Sequence, residues 1–177
     1  MENKAFLNFI DNTPNAYICV KNLKEKLLEL GFKELCEYEK WKELSYKGKY
    51  FVSRNDSSLI AFTMTENSEN VGFNIVATHS DSPSFSIKTN PDIYENGYLK
   101  LNVDGYGGMI YYSWLDRPLS IAGRVITEKD GSYQSQFINI DEDLLIIPSQ
   151  AIHQNREVNK ENKLNPQVDM LPIMSLK

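Results

Sequence analysis

The chain has 177 residues, 41% hydrophobic and 24% charged, with a formal net charge of −5. That composition belongs to a folded globular chain of one domain or two small ones. A net acidic chain without a long basic cluster excludes phosphate-backbone binding, which depends on neutralising many phosphates, and no apolar run approaches the roughly 20 residues of a membrane-spanning helix. Neither nucleic acid nor membrane is therefore an expected partner. The start Met1-Glu2-Asn3-Lys4 lacks the basic end and apolar core of a secretory signal, so a cytoplasmic location is expected. Cys19 and Cys36 have no Cys-x-x-Cys spacing and read as buried, reduced thiols.

In chain order, residues 4–10 read as a short helix. Thr13-Pro14 marks a second helix start, and Ala16, Val20, Leu23, Leu27 and Leu30 follow at helical spacing. Gly31 suits the left-handed cap that ends it. From residue 50 the period changes to that of strands, at 50–52, 59–64 and 73–77, with turns at Arg54-Asn55-Asp56-Ser57 and Asn67-Ser68-Glu69-Asn70. Helices followed by a sheet imply an α/β or α+β layer architecture. Beyond a border at Asn90-Pro91-Asp92, short strands are predicted at 98–103, 109–112, 119–126, 136–140 and 144–147, which suits a small barrel or sandwich. Lys129-Asp130-Gly131-Ser132 is a hairpin turn, because Asp-Gly readily supplies positive φ.

The chemistry concentrates in few places. Asn74-Ile75-Val76-Ala77-Thr78-His79-Ser80-Asp81-Ser82-Pro83 reads as a buried strand ending in a histidine and, two residues on, an aspartate. On an extended chain those two side chains point the same way, so a neutral imidazole can meet a metal beside an orienting carboxylate. A histidine at a strand end more often makes only a hydrogen bond than binds a metal, so the tripeptide alone favours the hydrogen-bonded reading. Asp104-Gly105-Tyr106-Gly107-Gly108 lacks the Lys and Ser/Thr of a phosphate loop and is read as a tight turn. Ser82 has no Gly-x-Ser-x-Gly elbow. Trp114-Leu115-Asp116-Arg117-Pro118 reads as an ion-paired corner. His153 stands near Arg156, which could hold a carboxylate or a developing oxyanion, although a satisfied surface histidine is the plainer reading. With two histidines in the chain, a His-rich metal cage is excluded, and further ligands would have to be carboxylates or come from outside these residues.

Three blocks together resemble the aspartyl aminopeptidase and aminopeptidase I family of zinc metallopeptidases. They are Ala77-Thr78-His79-Ser80-Asp81-Ser82-Pro83, the run from Gly105-Tyr106-Gly107-Gly108 through Trp114-Leu115-Asp116-Arg117-Pro118 to Gly123-Arg124-Val125, and Ile147-Pro148-Ser149-Gln150-Ala151-Ile152-His153-Gln154-Asn155-Arg156-Glu157-Val158-Asn159. Leu164-Asn165-Pro166-Gln167 extends the match. Ser80 replaces a common threonine, and Leu115-Asp116 a familiar Phe-Asp.

The resemblance implies an α/β peptidase domain, here its amino-terminal part at 1–90, interrupted by an antiparallel β-barrel-like insert, here 91–177 and truncated. It implies hydrolysis of amino-terminal residues from peptides, acidic or neutral, with two zinc ions in the complete site and assembly into large homo-oligomers. His79 matches the family's metal-ligand histidine and Asp81 the aspartate that orients the site. His153 matches a histidine that either binds metal or reaches into a neighbouring subunit's site to steady the tetrahedral intermediate. The family's bridging aspartate, its adjacent glutamates with the general base, a further carboxylate and a last histidine all match positions beyond Lys177. The chain alone is therefore expected to have little or no peptidase activity. The alternative is a non-catalytic assembly or regulatory module derived from such a peptidase.

Overall fold

The structure is a computed structural model and describes residues 2–42, 44–65, 72–160 and 163–176. It contains two helices and two sheets among those residues, distributed over two compact units. One unit comprises residues 1–82 and 122–138, the other 83–121 and 139–177.

In the first unit, α1 (Glu2–Asp11) ends where the Thr13 hydroxyl donates to the Phe9 carbonyl at 2.9 Å. α2 (Ala16–Glu29) starts on Asn15, whose side-chain oxygen accepts from the Ile18 amide at 3.0 Å, one of the donors that a helix start otherwise leaves unpaired. Gly31 then takes φ +80, as its cap position requires. α2 lies against a three-stranded sheet of β1 (Lys33–Glu34), β2 (Lys49–Arg54) and β3 (Ser58–Thr63), with β1 parallel and β3 antiparallel to β2. Ile18, Cys19 and Val20 of α2 and Tyr50 and Phe51 of β2 are buried, while Leu30, the last residue of the expected apolar stripe, is 56% exposed. Burial raises the pKa of the Cys19 thiol. Cys36, expected to be buried too, is exposed, because it follows β1 in a turn rather than on a packed face.

The predicted turn at Arg54-Asn55-Asp56-Ser57 joins β2 and β3, with left-handed backbone at Asn55 and Asp56, φ 52 and 54. The next turn, expected at 67–70, lies outside the described residues. The strand expected at 73–77 is absent. Residues 72–83 carry no strand, and Phe73, Ile75 and Val76 are 92%, 81% and 95% exposed. An extended segment is a strand only when a neighbour takes its backbone groups, and the described residues provide none there.

A curled five-stranded antiparallel sheet, a half-barrel, is ordered β4-β5-β8-β7-β6. Its strands are β4 (Ser84–Glu95), β5 (Tyr98–Tyr106), β6 (Pro118–Lys129), β7 (Ser132–Ile146) and β8 (Ile173–Leu176). The far end of the β6–β7 hairpin falls in the first unit, where Arg124 stacks 4.6 Å from the Tyr17 ring and donates to Asn55 Oδ1 at 2.9 Å. In the second unit, Leu101, Val103 and Leu145 form a core lined by Phe85, Leu119, Ile121, Leu144 and Leu171. The 3₁₀ turn Tyr111–Trp114 replaces the strand predicted at 109–112; Phe85 packs edge-on to Trp114 at 5.1 Å and stacks on Tyr111 at 6.3 Å.

Asn90-Pro91-Asp92, read as a border, lies inside β4, and the compact units part instead between Ser82 and Pro83. Proline is tolerated there because β4 is an edge strand and its register with β5 shifts between Ile87 and Asp92. Two separate strands were predicted within what is one long β7. Asn96-Gly97 and Asp130-Gly131 close their hairpins with positive φ at both residues, the latter as expected.

Candidate metal and catalytic residues

His79 sits on the extended segment that leaves the first unit's sheet. The Ser80 hydroxyl ties this segment to the β2–β3 turn by donating to the Ser57 carbonyl at 3.0 Å. The imidazole is 80% exposed and Asp81 36%. His79 Nδ1 lies 2.8 Å from the Asp81 backbone oxygen and 3.2 Å from its Oδ1. A carbonyl and an ionised carboxylate are acceptors only, so Nδ1 is the donor. In the neutral ring the lone pair then resides on Nε2, open on an exposed edge. That is how a metal-binding histidine is set up: one nitrogen held by an acceptor, the other free to coordinate.

The i, i+2 spacing thus brings His79 and Asp81 together, although on a segment outside any strand rather than on a strand end. Among the described residues, no three His, Cys, Asp or Glu side chains gather in a way that could hold a metal ion. His79 and Asp81 fit part of a metal site and not a whole one.

His153 belongs to the second unit. It lies on an exposed run of turns with Arg156, also exposed, three residues on. The turns are closed locally, as where Gln154 and Asn155 donate to the Ala151 carbonyl at 2.8 and 3.1 Å. Upstream, the chain is held by the Trp114–Pro118 corner. Leu115 pairs with Ile147 in an isolated parallel bridge, the Asp116 amide donates to the Ile147 carbonyl at 2.9 Å, and Asp116 Oδ1 accepts from the Ser149 amide at 2.8 Å. The Ser149 hydroxyl and amide hold the Asp116 carboxyl below the ordinary carboxylate range. The corner was expected to be an Asp-Arg ion pair. Instead, Asp116 serves Ser149, and Arg117 donates to the Ser113 carbonyl at 3.3 Å, because Asp116 adopts φ +56 and turns its carboxylate toward residues 147–149.

The Leu164-Asn165-Pro166-Gln167 block makes a turn in which Gln167 bridges Lys88 at 2.6 Å and Asp104 at 3.1 Å, while Lys88 pairs with Asp104 at 3.0 Å. Sequence reasoning flagged this block without a role for it; the structure gives it the task of fastening the turn to β4 and β5. The Ser80 and Asp116 contacts left no signal in the sequence beyond their place inside the family blocks.

A model of the aminopeptidase I zinc metalloprotease family (M18) matches residues 9–177. The chain belongs to this family. It is 48% identical over 177 residues to the probable M18 family aminopeptidase 2 of Clostridium acetobutylicum, covering 98% of this chain and 41% of that protein. It is 40% identical to the aspartyl aminopeptidase of Dictyostelium discoideum, covering 98% of this chain and 36% of that one. The chain thus spans about two-fifths of the length of these curated relatives. Among solved structures, it resembles a chain of the Ape4 and Nbr1 complex with TM-score 0.93 and 38% identity, over 97% of this chain and 33% of that one. It also resembles the mApe1 dodecamer of S. cerevisiae, with TM-score 0.73 and 25% identity over 97% of this chain and 37% of that one.

Proposed function

We propose that the chain supplies the amino-terminal two-fifths of a cytoplasmic zinc aminopeptidase that removes amino-terminal residues, acidic ones preferred, from peptides. The observation that carries this reading is the fixed His79 ring, whose Nδ1 is engaged by Asp81 and whose Nε2 is left open. His79 would hold zinc through Nε2, with Asp81 keeping the ring in the right tautomer and orientation. In the complete site, two zinc ions would supply polarisation of a peptide carbonyl and a bound water of lowered pKa. His153 steadies the negative charge that develops on the substrate, acting in the site of a neighbouring subunit. An exposed position on a loop suits a group that works outside its own subunit. The dodecameric relative supports homo-oligomeric assembly, and the aspartyl aminopeptidase relative supports acidic substrates.

On this reading the 177-residue chain lacks both a general base and enough ligands to retain metal. Purified and supplied with zinc, it is expected to show no release of amino-terminal aspartate, glutamate or leucine above the uncatalysed background. Turnover that scales with chain concentration and vanishes with a chelator would overturn this account. Continuation of the reading frame past Lys177 to a Glu-Glu pair and a later histidine would support it.

A further inference from the structure

We propose that Asp116 is a positioning residue for His153: by gripping residues 147–149 it fixes where the His153 loop leaves the sheet. This rests on the role given to His153 above. The grip is two-sided. Asp116 spends its backbone donor on the Ile147 carbonyl and its side-chain oxygen on the Ser149 amide. Pro148, between them, has no N–H of its own, and the Ser149 hydroxyl joins its amide in holding the carboxylate.

The anchor is firm on its inner side, since Ile147 is fully buried and bridged to Leu115. Among the described residues from 150 to 160, the backbone bonds are turns of three or four residues, such as Val158 to Asn155 and Lys160 to Glu157. Such turns shape the loop locally. His153 lies four residues past Ser149, so the direction in which its loop leaves the sheet is set at the Asp116 contact.

Asp116 also adopts left-handed backbone, with φ +56. Aspartate is one of the few residues with a Cβ that adopts this backbone readily, because its short side chain can hydrogen-bond nearby. That conformation lets one residue aim both its amide and its carboxylate at a single stretch of chain.

The test begins with residue-resolved amide hydrogen exchange on the 177-residue chain and its Asp116→Ala, Asp116→Gly and Asp116→Asn variants. Asp116→Gly accepts the left-handed backbone while removing the carboxylate. Exchange at Ser149 and through the His153 loop is expected to rise at least about tenfold in the Ala and Gly variants, one factor of ten being about 1.4 kcal/mol. The Leu101 amide, bonded to the Pro172 carbonyl within the sheet, should keep its protection. Asp116→Asn, which retains a side-chain oxygen and tolerates this backbone, should preserve most of the protection. Unchanged exchange in the loop would overturn the proposal. Equal loss at Leu101 would overturn it too, by making Asp116 a general stabiliser of the unit.

A second arm uses the complete enzyme that Proposed function envisages. Asp116→Ala is expected to lower kcat about tenfold with little change in KM, and to add nothing to the loss caused by His153→Ala. If His153→Ala leaves kcat intact, the reading of His153 fails. If His153→Ala lowers kcat but Asp116→Ala does not, or if the two losses multiply, the positioning role fails while that reading stands.

Discussion

In the complete peptidase, His79→Ala is expected to lower kcat/KM by at least about a thousandfold, roughly 4 kcal/mol of transition-state stabilisation. If His79 has its proposed role as a metal ligand, metal content measured on the purified variant should fall in step. With Asp81 in its proposed orienting role, Asp81→Ala would leave the ligand in place and free its ring, so a smaller loss of about 10–100-fold is expected, the range for groups that orient a ligand. The order of the two effects is the informative part. Steady-state kinetics and metal analysis on the same preparations check it, and an Asp81 variant more damaging than the His79 variant would refute the division of labour.

The second large effect concerns stability. Phe51 has no exposed surface and stands in the middle of β2, between the parallel β1 pairing and the antiparallel β3 pairing. Phe51→Ala removes the transfer energy of a buried ring and leaves a cavity, at a cost of about 3–5 kcal/mol. Denaturant unfolding followed by a probe in the first unit should show this as a lower midpoint with an unchanged slope. By contrast, Ile60→Ala on β3, with Ile60 67% exposed, should cost far less, because little area returns to water.

What the sequence made legible is what local chemistry decides. Gly31, Asn55-Asp56 and Asp130-Gly131 act through their own backbone preferences, so the end of α2 and two hairpins could be read from them, whereas the helix start expected at Thr13-Pro14 falls on Asn15 instead. The strand expected at 73–77 depended on neighbours that no local pattern supplies, and Phe73, Ile75 and Val76 stand exposed instead. β4 went unread for the opposite reason: Pro91 and its polar neighbours look like a linker, and only an edge position with a register shift makes them a strand. The aromatic run at 109–114 has strand propensity, yet packing on Phe85 winds it into a 3₁₀ turn.

The site divided in the same way. His79 and Asp81 were legible because their contact is local, two residues apart on extended chain. Asp116 and Ser149 lie 33 residues apart, and their pairing required the fold. Among the described residues no three His, Cys, Asp or Glu side chains gather to hold a metal ion, so these residues alone show only part of the candidate site.

The most direct test of the central claim is the tautomer of His79, read by ¹⁵N NMR of the imidazole in the 177-residue chain at alkaline pH. The expected result is a neutral ring with its hydrogen on Nδ1 and its lone pair on Nε2. A hydrogen on Nε2 would contradict the account.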